Sequence, residues 1–488
     1  MSFQQSNYYQ VLGLNPDASI SEISEAFDRL RAQLAHDESD AADSDLSFLR
    51  HVYEVLSNPQ RRTLYDSLLE DVSSPKLDTL VQISGTNLGL LSIPQIVYLL
   101  VEIRSAKNSK ETLRPLNLSI VIDCSTSMRG ERLEQVKNGL FMLLEKLSGG
   151  DVLSVVSFSD RAQVILPSRR LGEQKEPTAA IQAIQASGGT EIFQGLSAGV
   201  GQISQVSLKE YNNHLILLTD GHTYGDEDKC LRLGAKLAGE GIILSAFGIG
   251  SDWDDKFLDA LVEYSGGTAE YIATEQDIVS SLERRVQGVG TVFANQVQLL
   301  AEWPRAVELL DIFRLTPIAQ PMNSDTRHIQ LGAIEGNTPL RFLLEFRLLP
   351  QPIPTRVRIP LKMVAEIPGQ GEHQLEEIVD LSIMQDGQQV EPPPDIIRAV
   401  RLLTLYRLNE RAWHEMETGH FDKAVTSMKH LSTRFLEAGE PALAKQARIE
   451  AQRLSQGATL SLDGHKNLKY GTRVLMRKAI QLDWDDSM

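Results

Sequence analysis

The chain has 488 residues, 42% hydrophobic and 23% charged, with a formal net charge of −17 and two cysteines. That length allows roughly three or four domains with ordinary cores. The charge argues against nucleic acid or an anionic membrane as the main partner, because phosphate binding needs concentrated Lys and Arg. Two cysteines, Cys124 and Cys230, make neither a disulfide framework nor a zinc site and read as small buried residues.

The opening MSFQQSNYYQ has no basic n-region and no apolar h-region. No run approaches the roughly eighteen apolar residues of a membrane span. The expectation is a soluble cytoplasmic protein. Residues 7–70 predict short helices. Ser19 or Ser21 caps one carrying Ile23, Phe27, Leu30 and Leu34 at spacings of three and four. AHDESDAADSD breaks the pattern, and a second helix presents Leu46, Leu49, Val52, Tyr53 and Leu56 before SNPQ ends it.

After the polar linker EDVSSPK, residues 76–112 hold a strand, PQIVYLLVEIRS. Residues 115–288 alternate apolar strands (LNLSIVID, VLSVVSFSD, HLILLTD, IILSAFGIG) with amphipathic helices, KFLDALVEYSGG being the last clear one. That alternation predicts a mostly parallel, doubly wound sheet covered on both faces. Residues 290–390 carry strands without helical signals, RFLLEFRLLP and TRVRIPLKMVAEI, which suit an antiparallel sandwich. After EPPPD the chain turns helical, with a hairpin over 395–455 and a tail over 456–488.

In VIDCSTSM, a strand ends on Asp123, with Ser125 and Ser127 at every second place. Asp220 ends another strand in LILLTDG, and the turn SGGTEIF brings Thr190 toward the same edge. In a doubly wound sheet, ligands bind at the carboxyl ends of the strands. Two carboxylates and three hydroxyls are hard oxygen donors suited to Mg²⁺. So few carboxylates leave such an ion electron-poor, with an open position for an acidic group from outside. Alone, Asp-x-Ser-x-Ser also fits a helix N-cap. GDEDK near Asp226 reads as the solvated start of a helix, and His222 as a loop residue.

The ordered set Asp123, Ser125, Ser127, Thr190 and Asp220 resembles a von Willebrand factor type A (vWA) domain with its metal-ion-dependent adhesion site. The resemblance covers about a third of the chain; Thr126 stands where glycine is common in that family. It implies that Ser125 and Ser127 bind the metal directly and Thr190 directly or through water. Asp123 and Asp220 hold the coordinating waters and supply charge. The implied ion is Mg²⁺, with Mn²⁺ as the alternative. The strands on either side then form one sandwich split by the inserted domain, an arrangement similar to bacterial proteins with a central vWA domain.

NYYQVLGLNPDASISEISEAFDRLR and VYEVLSNPQRRTLYD resemble a DnaJ J-domain. That family needs His-Pro-Asp to trigger ATP hydrolysis by a DnaK-type chaperone. Here His36 is followed by Asp37 and Glu38. The family's second helix is a basic docking surface, whereas here Glu22, Glu25 and Asp28 outnumber Arg29 and Arg31. The implied module docks proteins without driving the chaperone cycle. Near the C-terminus, Trp413, Gly419, Phe421, Ala424 and Leu431 have a spacing similar to one tetratricopeptide-type hairpin. A cap on the sandwich is the favoured reading of it, ahead of a peptide groove. HKNLKYGTR is a small basic patch, read as part of a solvated tail with docking to an acidic partner as the alternative.

The expected fold is thus multidomain α/β: a small all-α J-like domain, a doubly wound, Rossmann-like vWA domain inserted in a β-sandwich, and a C-terminal α-helical segment. The expected function is a non-enzymatic scaffold whose metal captures a partner's Asp or Glu. The sequence holds no phosphate-binding Gly-x-x-x-x-Gly-Lys loop, no His-Glu-x-x-His and no Gly-x-Ser-x-Gly elbow. A DnaJ-class co-chaperone, or an adaptor of an AAA-type ATPase, is the alternative.

Overall fold

The computed structural model describes residues 8–15, 18–34, 40–62, 65, 77–106, 114–171, 178–223, 225–324, 327–336, 338–367, 371–385, 387 and 390–481. The chain divides into two compact units, Met1–Lys76 and Leu77–Met488.

The first unit holds helices α1 (Tyr8–Leu12), α2 (Ile20–Leu34) and α3 (Asp40–Leu56). Their apolar stripes converge on a core of Tyr9, Ile23, Ala26, Leu49, Val52 and Leu56. Of the two candidate caps, Ser19 is used. Its Oγ accepts from Glu22 N–H at 3.3 Å, and Glu22 Oε2 accepts from Ser19 N–H at 2.7 Å. This reciprocal pair is a capping box. The polar AADSD does not break the pattern but opens α3. His36, Asp37 and Glu38 lie outside the described residues.

The second unit begins with β1 (Leu77–Ile83), β2 (Asn87–Gly89) and β3 (Gln95–Ser105). The inserted domain follows: β4 (Leu116–Asp123), α4 (Glu131–Lys146), β5 (Val152–Phe158), β6 (Ala162–Arg170), α5 (Thr178–Gln182) and α6 (Ile192–Ile203). It continues with β7 (Asn212–Thr219), α7 (Glu227–Glu240), β8 (Ile242–Ile249), α8 (Asp255–Glu263), β9 (Ala269–Ile272) and α9 (Asp277–Gly290). Helix α9 buries Ile278, Leu282 and Val286 and has no counterpart among the helices read from sequence, because Ser, Arg and Gln dilute its apolar face.

The domain's sheet runs β6-β5-β4-β7-β8-β9, parallel except for β6. Strands β4, β5, β7 and β8 are buried along their whole length, as a sheet covered on both faces requires. Helix α6 lies unusually close to it. A Cβ on Gly195 would meet the Phe158 ring at 2.5 Å, and one on Gly199 would meet Val121 Cγ2 at 2.6 Å. After β4 the chain moves to β5 on one side, and later returns to β7 on the other. The two central strands therefore flank the point where strand order reverses.

The sandwich strands resume as β10 (Val292–Leu300), β11 (Val307–Thr316), β12 (Gln320–Met322), β13 (His328–Glu335), β14 (Leu340–Leu348), β15 (Thr355–Ile367) and β16 (Gly371–Met384). One sheet is ordered β1-β3-β14-β11-β12 and the other β13-β10-β15-β16-β2. Pairing of β3 with β14, Val101 opposite Phe342, joins chain from either side of the insertion. Both sheets close on one core containing Val97, Leu99, Phe342, Leu344, Ile359 and Leu361.

Four helices end the chain: α10 (Pro394–Glu417), α11 (Phe421–Glu437), α12 (Pro441–Ser455) and α13 (Leu462–Gln481). Ile396, Leu403 and Tyr406 pack on Leu100, Phe313 and Leu343 of the first sheet, so the helices cap the sandwich. The expected solvated tail over 456–488 needs correction. Its residues 462–481 are helical, and Lys466, Lys469 and Arg473 of the basic patch are buried. Their spacing puts them on one face of α13, which meets α8 of the vWA domain. Lys469 pairs with Asp255 and, at 3.0 Å, with Asp259. Arg473 makes a two-pronged bond to Asp259 at 2.9 and 2.7 Å. Lys466 donates to the Ser251 carbonyl at 2.6 Å and lies 4.0 Å from the centre of the Trp253 ring. The partners are more than 200 positions away in sequence, so local charge reading cannot find them.

Candidate metal centre

Strand β4 delivers Asp123 to the carboxyl edge, where its side chain is fully buried. Thr219 Oγ1, from the neighbouring end of β7, donates to Asp123 Oδ2 at 2.7 Å, and Ser125 N–H donates to Oδ1 at 2.8 Å. Burial pushes the Asp123 carboxyl up from 3.8 to about 6. The Thr219 and Ser125 hydrogen bonds oppose that shift, and nearby Asp220 adds to it. The site thus holds a carboxylate that is costly to charge without a cation beside it.

After Asp123 the backbone makes one 3₁₀ turn, Thr126–Met128. It sets Ser125 Oγ and Ser127 Oγ 3.0 Å apart. Ser127 Oγ donates to Asp220 Oδ1 at 2.7 Å. The Thr190 loop is tied to the same turn: Thr126 N–H and Oγ1 both donate to the Gly188 carbonyl, at 3.2 and 3.0 Å. Ser187 N–H donates to the Cys124 carbonyl at 2.7 Å. Gly188 takes φ +80°, and a Cβ there would strike Asp160 Oδ2 at 2.6 Å. Thr190 Oγ1 faces the Asp220 turn, 3.4 Å from where a Cβ on Gly221 would stand. Thr126, Ser127, Gly188 and Gly189 are exposed, so the cluster opens to solvent.

All five residues read from the sequence therefore come to one edge. Two others, which the motif does not include, complete the site. Arg132, in the first turn of α4, places Nη1 2.6 Å from Asp220 Oδ2 and Nε 3.4 Å from Glu275 Oε1. Asp160, after β5, accepts from Gly189 N–H at 2.8 Å and steadies the Thr190 loop. An Arg in a helix's first turn runs against the dipole preference, and that was the signal available for Arg132. His222 is an exposed loop residue, and Asp226 precedes α7, accepting from Phe193 N–H at 2.9 Å.

The donor set fits a hard divalent ion. Adjacent ligands of octahedral Mg²⁺ at 2.0–2.1 Å lie about 2.9 Å apart, close to the Ser125–Ser127 hydroxyl separation of 3.0 Å. No group of three or more His, Cys, Asp or Glu at metal-holding distance occurs among the described residues. An ion at this edge would therefore draw on the hydroxyls as well as the two carboxylates.

Comparison with known proteins agrees with this architecture. Residues 117–285 match the von Willebrand factor type A domain, residues 7–66 the DnaJ domain, and residues 394–478 the Sll0103-like, C-terminal alpha-helical domain. The chain thus carries a vWA domain and a DnaJ domain. It is 27% identical over 420 residues to the uncharacterized protein sll0103 of Synechocystis sp., covering 83% of this chain and 98% of that one. Among solved structures it is similar to a von Willebrand factor type A protein from Catenulispora acidiphila. The TM-score is 0.66 at 17% identity, covering 82% of this chain and 97% of the other. It is also similar to the ArnB paralog VWA2 from Sulfolobus acidocaldarius, with a TM-score of 0.54 at 15% identity over 82% and 99% of the two chains. These likenesses establish the fold. No helix among the described residues is long and apolar enough to cross a membrane.

Proposed function

We propose that this chain is a non-catalytic interaction protein that captures an Asp or Glu of a protein partner at the Asp123–Asp220 edge. The observation that carries the reading is the convergence of Ser125, Ser127 and Asp220 hydroxyl and carboxylate oxygens at hydrogen-bond distances on a solvent-open edge. A bound Mg²⁺ would supply a Lewis-acidic centre with a position left for one partner oxygen. Ser125 and Ser127 would ligate it directly, Thr190 directly or through water, and Asp123 and Asp220 would orient its waters. Mn²⁺ would suit the same donors. The DnaJ and C-terminal helical parts serve as further docking surfaces.

Several features argue against catalysis. Cys124 follows Asp123 in the chain, but burial and the Asp123 charge push its thiol up to about 12, too high for a nucleophile at neutral pH. Both carboxylates are committed, Asp123 to Thr219 and Ser125, and Asp220 to Ser127 and Arg132. Two free, buried cysteines suit a cytoplasmic setting.

The test is calorimetric titration with Mg²⁺ followed by affinity capture from native cell extract. Wild type should bind one Mg²⁺ and Asp220→Ala none. Wild type in Mg²⁺ should retain a protein that is lost in EDTA and lost with Asp220→Ala. An identical retained set in all three conditions would sink the metal-dependent reading. An AAA-type ATPase in the metal-dependent set would make this chain its adaptor. The DnaJ match supports a second reading as a co-chaperone; stimulation of a DnaK-type ATPase by the chain would select it.

A further inference from the structure

Among the described residues the three sheets end in six edge strands. An edge strand presents unpaired N–H and C=O groups to any second chain, and short length, proline, cations, bulges or covering chain are what keep it from pairing. Strands β2 and β12 are three residues long and β9 is four. Strand β6 carries Pro167, Arg169 and Arg170, and its register to β5 shifts twice. Strand β13 pairs irregularly with β10 and is covered by the vWA domain. There Arg285 pairs with Glu335 at 2.6 Å, and a Cβ on Gly266 would strike the Gly332 backbone at 2.6 Å.

Strand β1 has none of these devices. Its seven residues, LDTLVQI, contain no proline and no cation. They pair with β3 one for one, from Leu77–Ser105 to Ile83–Leu99, without a bulge. Leu77, Val81 and Ile83 pack on the sandwich core, and alternation puts Thr79 on the same face. Asp78, Leu80 and Gln82 therefore face outward. Asp78, the one charge, is turned to Arg104 of β3 at 3.6 Å, and Gln82 Nε2 donates to Asp395 of α10 at 3.0 Å. Leu80 is 46% exposed. On the side away from β3, no strand pairs with β1 among the described residues.

We propose that β1 pairs antiparallel with β1 of a second copy of this chain, joining two five-stranded sheets across a two-fold axis at Leu80. The strand is self-complementary in that register. Leu80 lies opposite its own copy, Leu77 opposite Ile83, Thr79 opposite Val81 and Asp78 opposite Gln82. Core-face residues meet core-face residues, the one carboxylate meets an amide, and no like charges oppose each other. A slip in either direction sets Leu80 opposite Asp78 or Gln82 and unpairs residues at the strand ends. Seven residue pairs are a small contact, so the dimer is weak and concentration-dependent. None of these residues lies at the Asp123–Asp220 edge, so the pairing does not depend on a metal. On the function proposed above, two copies present two such edges, which raises avidity for a partner with repeated carboxylates.

The test is analytical sedimentation of the full chain from about 1 to 200 µM, with and without EDTA. Wild type should pass from monomer to dimer within that range in both buffers. Leu80→Lys should stay monomeric throughout, because two ammonium groups then meet at the axis. Its melting temperature at low concentration should match that of wild type, since the position is half-exposed. Leu80→Cys gives a second readout. Residues directly opposite each other in an antiparallel pair have Cα atoms about 4.5–5.5 Å apart, within disulfide reach. Mild oxidation should therefore link that variant into a covalent dimer, while wild type stays unlinked because Cys124 and Cys230 are buried. Val164→Cys, on the guarded edge β6 and 39% exposed, controls for random collision. The proposal is overturned if wild type is monomeric at the highest concentration, as it would be were this edge kept for another protein's strand. It is equally overturned if Leu80→Lys dimerises as wild type does, if EDTA dissolves the dimer, or if Leu80→Cys links no faster than Val164→Cys.

Discussion

Arg132 grips Asp220, with Nη1 2.6 Å from Oδ2 while the aspartate side chain is wholly buried and the arginine is 27% exposed. The second Asp220 oxygen accepts from Ser127 at 2.7 Å. The guanidinium therefore already neutralises the carboxylate that a metal would need to attract. Arg132 also reaches Glu275 and packs against Gly250, where a Cβ would meet Nη2 at 2.9 Å.

Removing this cation should separate stability from metal affinity. Arg132→Ala leaves Asp220 buried without its counter-charge, a loss of about 1–3 kcal/mol after discounting for the arginine's exposure. Mg²⁺ should bind the variant more tightly than wild type, because no guanidinium competes for the same carboxylate. Melting curves with and without Mg²⁺ measure both effects. A variant that melts like wild type and shows the same Mg²⁺-induced shift would show that Arg132 does not govern the site.

The grouping at the Asp123–Asp220 edge was legible because part of it is local. Asp123, Ser125 and Ser127 share one turn, and strand ends at the reversal point of a doubly wound sheet must neighbour each other. The sheet was equally legible, since wholly buried parallel strands read as continuous apolar runs. What stayed hidden depended on distant partners. The Lys466, Lys469 and Arg473 patch looked solvated until Ser251, Asp255 and Asp259 were placed against it. Thr219 carries an ordinary strand signal, and Arg132 only an Arg placed against the helix dipole; their neighbours give both a role. Helix α9 was missed because its face is partly polar, with Ser281 and Arg285 among its buried residues.

Arg314 illustrates the same limit at the sandwich junction. Arg314 of β11 is 1% exposed and makes no ion pair among the described residues. It donates instead to the carbonyls of Gly266 at 2.9 Å, Gly267 at 2.7 Å and Leu331 at 2.9 Å. Burial lowers its pKa to about 9, so it stays charged at neutral pH, solvated by carbonyl dipoles of the vWA domain and of β13. Arg314→Met should cost about 3 kcal/mol or more, because several buried carbonyls lose their donor together. Arg314→Lys should rescue little, since one ammonium does not reproduce the planar fork. Urea midpoints of the three proteins test this; a lysine variant as stable as wild type would show that charge alone suffices.

The DnaJ unit keeps its core, while the sequence has His36-Asp37-Glu38 in place of His-Pro-Asp. The Tyr8 and Tyr65 rings stack with centroids 4.2 Å apart, and Tyr9, Ile23 and Leu49 are buried. On α2, Glu22, Glu25 and Asp28 are exposed beside Arg29 and Arg31. The full chain should leave the basal ATPase rate of a DnaK-type chaperone unchanged. Asp37→Pro with Glu38→Asp restores the His-Pro-Asp order but leaves the acidic helix. It should therefore still fall short of a competent J-domain assayed in parallel. Stimulation by the wild-type chain would transfer the functional reading to the co-chaperone alternative.

The α8–α13 seam should be acid-labile. Burial alone would raise the Asp255 carboxyl, but the His465 hydrogen bond and the Lys469 charge outweigh it and hold the group well below its usual 3.8. Asp259 is likewise lowered, by Arg473 and Lys469 against its burial. A carboxyl whose folded pKa lies below its unfolded value binds more protons when unfolded. Its stabilisation is therefore complete above about pH 4 and is lost as pH falls below that value. Lys469 is 2% exposed against 15% for Asp255, so protonating the aspartate strands a buried ammonium. Hydrogen exchange along residues 462–481 should accelerate as pH is lowered from 5 toward 3, after correction for the intrinsic pH dependence of exchange. Asp255→Asn should show faster exchange already at pH 7, with a flatter pH profile, because one of the two titrating carboxyls is gone. If wild type and variant follow the same profile, helix α13 is held by its apolar contacts, and the ion pairs contribute nothing to its attachment.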